Sequence, residues 1–175
     1  TITLTGTNDA PVAQAKTDAA TEGGAVISGS VVATDVDDGA ALAYSLTDAA
    51  PAGLTFQADG SYSFDPTVGA YDHLAKDATQ DVVVHYKAND GVADSNVSTL
   101  TITLTGTNDA PVAQAKTDAA TEGGAVISGS VVATDVDDGA ALAYSLTDAA
   151  PAGLTFQADG SYSFDPTVGA YDHLA

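Results

Sequence analysis

From Ser98 to Thr105 apolar and polar residues alternate without a break: Leu100, Ile102 and Leu104 fall on one face, Thr99, Thr101, Thr103 and Thr105 on the other. A period of two is the spacing of a half-buried β-strand. Thr1–Thr5 repeats the sequence of 101–105 and reads as the same strand without its domain. The same pattern predicts strands at Pro11–Asp18, Ala25–Ala33, Ala41–Leu46, Leu54–Gln57, Ser61–Phe64 and Asp81–Ala88. Asp59-Gly60 lies between the alternating pairs Leu54/Phe56 and Tyr62/Phe64, the signal of a two-residue hairpin. Val68–Ala75 predicts a single helical turn. The expected core is Val26, Ile27, Val31, Leu42, Tyr44, Leu46, Phe56, Phe64, Val82, Val84, Leu100, Ile102 and Leu104.

About seven short strands, with turn signals every eight to twelve residues, predict an all-β fold: an antiparallel sandwich of the immunoglobulin-like or cadherin-like type. Residues 1–75 recur letter for letter as 101–175, so the period is 100 residues. That is long enough for a small independent domain, whereas solenoid units are shorter and cannot fold alone. The expected organisation is the last strand of a preceding repeat at 1–7, a complete sandwich at 8–107, and an incomplete copy at 108–175 lacking its last two strands. The open edges of that copy are expected to be covered by a neighbouring molecule or by continuation of a longer array. Unchanged copying of a unit adds length, not chemistry, which favours a spacer.

Charge narrows the partners. The chain has 24 acidic residues against four lysines and no arginine, a net charge of −20. Phosphate recognition needs the opposite sign, so nucleic acid is excluded as a partner. An apolar fraction of 45% marks a folded chain. With no cysteine, neither disulfides nor thiolate metal sites hold the domains together. No apolar run is long enough for a membrane span, and no signal peptide is present, as expected of an internal part of a longer protein.

Strand parity then sorts the acids. If strands run alternately down and up from Asn8-Asp9, the loop Asp35-Val36-Asp37-Asp38-Gly39, the Asp59 turn and Asn89-Asp90-Gly91 share the top. Glu22, Asp48, Asp65, Asp72 and the next linker, Asn108-Asp109, share the bottom. Stacking repeats end to end would gather bottom acids, the linker, and Asp135 and Asp137 of the next copy into one volume. Hard oxygen ligands from several loops, without His or Cys, select Ca²⁺, which accepts six to eight oxygens in flexible geometry. The alternative is that Asp-rich loops are ordinary solvated turns. An EF-hand is excluded because its twelfth position, counted from Asp35, is Leu46; a β-roll is excluded because Gly23-Gly24 leads into Ala-Val-Ile.

Val32-Ala-Thr-Asp-Val-Asp-Asp-Gly, Ala43-Tyr-Ser-Leu and Thr105-Gly-Thr-Asn-Asp-Ala-Pro resemble, in this order, the cadherin-like repeats, above all the VCBS-type repeats of giant bacterial RTX adhesins of the biofilm or ice-binding type. The resemblance spans the whole period. It implies Ca²⁺-ligand roles for Glu22, Asp35, Asp37, Asn108 and Asp109, and by repetition for Asn8, Asp9, Glu122, Asp135 and Asp137. It implies a further ligand in Asp90, and sets Asp72 near a cadherin acidic segment whose Arg-Glu is missing here. It also implies an extender exported in one step by type I secretion, folding in external calcium at the bacterial cell surface. Its partners would be neighbouring identical repeats and distal ligand-binding domains, with no direct membrane insertion.

Two other classes compete. For an enzyme, His73 and His85 are the candidate acid/base groups, but His85 shares a strand face with Val83 and Lys87 and reads as solvated, and no Gly-x-Ser-x-Gly or His-Glu-x-x-His occurs. For direct adhesion to polysaccharide, cells or ice, the threonine row of 99–105 is the candidate surface; threonine is equally a good outward-facing strand residue.

Overall fold

The computed structural model describes residues 1–174, in two compact units that divide at Asn108/Asp109. In the first unit the strands are β1 (Val12–Ala13), β2 (Lys16–Thr21), β3 (Ile27–Ser30), β4 (Ala33–Thr34), β5 (Ala43–Leu46), β6 (Leu54–Phe56), β7 (Ser61–Phe64), β8 (Thr79–Asn89) and β9 (Ser98–Thr105). They form a four-stranded sheet, β2-β9-β8-β5, and a three-stranded sheet, β3-β7-β6, with β1 paired to β4. The long antiparallel ladder of β8 and β9 runs from Thr79↔Thr105 to Tyr86↔Ser98. The two sheets enclose one core, as expected of a sandwich.

Two predicted strands are each broken in two, for one reason. The 11–18 segment pairs with β4 through β1, passes Gln14-Ala15, and joins the other sheet as β2. The 25–33 segment likewise serves β7 as β3 and then β1 as β4. A chain that changes sheets seals the open side of the sandwich, and it brings β2 alongside β9 in parallel, Lys16↔Leu100 to Thr21↔Thr105. That pair is the departure from the antiparallel expectation. Short β1 gains a second support from Asn96, whose Oδ1 accepts from the Ala13 amide (2.9 Å) and whose Nδ2 donates to the Ala13 carbonyl (3.1 Å). The expected two-residue hairpin is a three-residue one: the Gly60 amide donates to the Gln57 carbonyl, and Gly60 takes φ +84°. This is a type I turn closed by a left-handed glycine. The predicted helical turn at 68–75 is present as successive tight turns, with Tyr71 and Leu74 amides donating three residues back.

Leu100, Ile102 and Leu104 are fully buried, each stabilising by roughly 1.5–3 kcal/mol. Val31, Phe64, Val82 and Val84 join them as expected, while Ile27, Tyr44, Leu46 and Phe56 pack half-buried around them. Val26 does not belong: it is 56% exposed, because the alternation of β3 turns Ile27 inward and its neighbour outward. Tyr62, Tyr71 and Tyr86 complete the core, and each hydroxyl finds an acceptor: Asp18 Oδ2, the Ala52 carbonyl and the Gln14 carbonyl, respectively. A buried tyrosine needs such a partner.

The second unit is a controlled comparison, since its sequence matches the first but the positions of β8 and β9 are not filled within 109–174. The core-side sheet survives unchanged in register: β11 (Ile127–Ser130), β14 (Ser161–Phe164) and β13 (Leu154–Phe156), beside the pair β10 (Val112–Ala113) and β12 (Ala133–Thr134). Residues 116–121 and 143–146, the counterparts of β2 and β5, are not strands. Phe164 and Tyr171 become half-buried, and Leu174 is 58% exposed where Leu74 is 8% exposed. Strand structure in β2 and β5 is therefore imposed by β9 and β8 and not by local propensity.

Candidate functional site

In the first unit the top cluster is assembled by three elements. The β1·β4 pair holds the 8–11 entry against the loop that follows Thr34, and the C-terminal end of β8 delivers Asn89-Asp90. Asn8 Nδ2 donates to Asp90 Oδ2 (3.0 Å) and to the Asp9 carbonyl (2.8 Å). The Asp9 amide donates to Asp37 Oδ2 (2.9 Å), and the Asp37 amide to Asp35 Oδ1 (2.8 Å). Asp90 Oδ1 accepts from the amides of Val92 and Ala93, both at 2.7 Å. The Ala93 amide foremost, then the Asn8 side chain and the Val92 amide, hold the Asp90 carboxyl below the usual aspartate range. Asn8, Asp9, Asp35, Asp37 and Asp90 are thus joined in one hydrogen-bonded chain.

One atom of this cluster stands out. Asp35 Oδ2 is buried with no hydrogen-bond partner. In the second unit the loop repeats, with the Asp109 amide on Asp137 Oδ2 (3.1 Å) and the Asp137 amide on Asp135 Oδ1 (2.9 Å), and there Asp137 Oδ1 is the buried, unpartnered oxygen. A carboxylate oxygen taken from water without a donor is costly, and a hard cation is the partner its chemistry fits. The fit is partial: among the described residues no group of three or more His, Cys, Asp or Glu side chains is arranged to hold a metal ion.

The opposite end of the first unit is built on Glu22, which is 4% exposed. Its Oε2 accepts from the Thr107 amide (2.8 Å) and its own amide donates to the Thr105 carbonyl (2.9 Å), so the Glu22 carboxylate is fixed where β2 and β9 end side by side. Asn108 follows directly. Asp72 lies half-buried after the 68–71 turn, and Asp65 caps the turn before it through the Thr67 amide (3.0 Å). Glu122, the counterpart of Glu22, is exposed.

Other acids expected at the two ends are engaged elsewhere. Asp48 sits at mid-height on the four-stranded sheet, beside His85 Nδ1 (2.5 Å) and accepting from the His85 amide (3.1 Å). The His85 hydrogen bond lowers the Asp48 carboxyl from its ordinary value. Asp59 closes its own turn through Ser61 and stays out of the Asp35 chain. Asp94, to which no sequence signal points, is taken up by Lys87 Nζ (2.5 Å) and Asn89 Nδ2 (2.7 Å).

The two-sheet sandwich is of the cadherin-like class. Residues 8–106 match the model of the bacterial cadherin-like domain, and the chain belongs to that family. Residues 108–173 match the bacterial Ig domain. No curated protein sequence matches the chain. Among solved structures it is similar to human protocadherin-24 EC1-2, at 22% identity and TM-score 0.57, covering 90% of this chain and 78% of that one. It is also similar to human CDH23 EC21-23, at 20% identity and TM-score 0.55, covering 89% and 53%. The protocadherin gammaB4 extracellular domain matches at 20% identity and TM-score 0.54 over 91% of this chain, which spans 29% of that chain. These likenesses establish the cadherin-like sandwich fold. The matched families are structural and adhesion domains, and no helix among the described residues is long and apolar enough to cross a membrane.

Proposed function

We propose that the repeat is a structural extender of a secreted, cell-surface adhesin of the RTX type, rigidified by Ca²⁺ at the linkers between successive repeats so that distal adhesive domains are held away from the cell. The observation that carries this reading is the buried, unpartnered carboxylate oxygen of the Asp-x-Asp loop, present in both copies at Asp35 and Asp137. Asn8, Asp9, Asp35, Asp37 and Asp90 would supply one part of the ligand set, and the Glu22 end of the repeat before them the remainder; Asn108, Asp109, Asp135 and Asp137 are the corresponding groups one repeat on, and Glu122, the counterpart of Glu22, would serve the linker after that. Asp72 is the further candidate ligand at the Glu22 end. Bound calcium would neutralise carboxylates that otherwise repel across each linker.

Extracellular calcium modules bind with Kd around 10⁻⁴–10⁻³ M. At about 10 mM Ca²⁺ each site then adds roughly 1.4–2.7 kcal/mol by mass action. Isothermal titration calorimetry on a tandem array of complete repeats tests the reading: saturable binding of Ca²⁺ over Mg²⁺, abolished when the Asp35/Asp37 pair of every repeat is changed to alanine, supports it, and no binding heat at millimolar calcium removes it. Direct adhesion through the threonine row has less to stand on, because Thr99, Thr101, Thr103 and Thr105 lie on a strand flanked on both sides, half-buried, with Thr103 Oγ1 tied to Asp81 (2.7 Å).

A further inference from the structure

The two strands that present the acidic cluster are too short to hold themselves. β1 and β4 share two residue pairs, Val12↔Thr34 and Ala13↔Ala33, yet Asp9 lies just ahead of the one strand and Asp35 directly after the other. A ladder of that size is marginal in water, so side chains must fix its position. Two tyrosine hydroxyls converge on it from the core. Tyr86, fully buried on β8, donates to the Gln14 carbonyl and lies 3.3 Å from the Val32 carbonyl, which also accepts from the Gln14 amide (3.0 Å). Gln14 and Val32 lie where the two segments change sheets. The Tyr44 hydroxyl, from β5, accepts from the Ala33 amide (3.1 Å), two residues before Asp35.

We propose that Tyr86 and Tyr44 are positioning residues of the acidic cluster, setting the β1·β4 pair in register with β8 so that Asn8, Asp9, Asp35 and Asp37 meet Asp90. The Tyr86 hydroxyl is the link, because its own strand leads four residues on into Asp90, which accepts from Asn8 Nδ2 (3.0 Å). Each phenol is itself held in place. The Tyr44 amide donates to the Ala58 carbonyl (2.8 Å), its ring lies where a Cβ on Gly60 would approach to 3.0 Å, and the Tyr44 and Tyr86 ring centroids are 6.4 Å apart. The Tyr44 contacts recur in the second unit, where the Tyr144 hydroxyl accepts from the Ala133 amide (3.0 Å) and the Tyr144 amide donates to the Ala158 carbonyl (2.9 Å). A binding constellation is only as precise as the groups that lock it from behind. A part in calcium affinity rests on the reading above, whereas the positioning of the cluster does not.

Phenylalanine at either position keeps the ring and removes only the hydroxyl. The test is hydrogen exchange by mass spectrometry in EGTA on a tandem array of complete repeats, with Y86F or Y44F in every repeat and I102V as a control that loosens the same core from β9. The Asp9 and Asp37 amides, which donate to Asp37 Oδ2 and Asp35 Oδ1, are expected to exchange about five-fold faster or more in both tyrosine variants, measured against the β7 amides of the same array, and at the wild-type ratio in I102V. Calorimetric titration of the same arrays reads the consequence for calcium: Kd should rise about five-fold or more in Y86F and Y44F at unchanged stoichiometry, and stay at the wild-type value in I102V. Cluster amides that keep the wild-type ratio in the tyrosine variants, or that are released equally by I102V, overturn the proposal. So does a wild-type Kd in both tyrosine variants. An array that binds no calcium removes the calcium reading alone, and the exchange ratio then decides the positioning role by itself.

Discussion

Replacing Asp35 by asparagine should change the stability of the first unit in opposite directions with and without calcium. Asp35 Oδ1 accepts the Asp37 amide, a bond an asparagine carbonyl reproduces, while Oδ2 is buried and unpartnered. In the D35N variant the second position is an NH₂ group beside carboxylates, so a charge is removed and a donor is gained where donors are lacking. An unsatisfied buried polar group costs about 1–3 kcal/mol, and the charged form lies at the upper end. D35N should therefore stabilise the calcium-free unit by roughly 1 kcal/mol or more, which raises Tm by about 4–8 °C per kcal/mol for a domain of this size. In about 10 mM Ca²⁺ the wild type gains roughly 1.4–2.7 kcal/mol per site and the variant loses most of it, so the order of melting reverses. Differential scanning calorimetry of a tandem array of complete repeats, changed at the Asp35 position of each, in EGTA and in calcium reads both signs. A variant that melts lower in both, or that gains as much from calcium as wild type, refutes the assignment of Asp35 as a calcium ligand whose second oxygen has no protein donor.

Ile102→Ala should cost about 2–5 kcal/mol of first-unit stability, while Ile2→Ala, at a residue of the same sequence context but 96% exposed, should leave the denaturant midpoint of that unit unchanged. Acid should weaken the first unit through Asp18, whose carboxyl is held below its ordinary value chiefly by the Tyr62 hydroxyl (2.8 Å). That contribution is present above the unfolded aspartate range and lost as pH falls through the lower folded value, so wild-type Tm should drop from about pH 5 towards about pH 2.5 and D18N should show a shallower drop. The same bond, with burial first, raises the Tyr62 pKa, so its contribution is present below the ordinary tyrosine range and lost at higher pH; Tm followed upward from about pH 9 should decline in wild type and stay flatter in Y62F.

The sandwich was legible because β9 alternates without exception and because Asp-Gly, Asn-Asp-Gly and Asp-Asp-Gly punctuate the segments between strands. What escaped was anything set by a partner distant in sequence. Nothing in 11–18 announces that Val12-Ala13 will pair with β4 and Lys16–Thr21 with β9, and nothing local distinguishes 16–21 from 116–121, which have one sequence and two conformations. Tyr62, Tyr71 and Tyr86 do not announce themselves as core because the acceptors that let their hydroxyls be buried, such as the Gln14 carbonyl for Tyr86, are tertiary. At the candidate site parity placed Asp35, Asp37, Asp90 and Asn8 together, since each lies at a strand end. It misplaced Asp48 because β5 ends at Leu46, opposite Tyr86, well inside the eleven-residue β8 and short of its far end.

The central claim, that calcium stiffens an array of these repeats, is tested most directly by small-angle X-ray scattering of a two-to-four-repeat array titrated from EGTA to about 10 mM Ca²⁺, with Mg²⁺ as control. The account predicts a calcium-specific transition to a rod whose length grows in proportion to repeat number. Scattering that is unchanged by calcium, or changed equally by magnesium, would contradict it and leave the acidic loops as solvated turns.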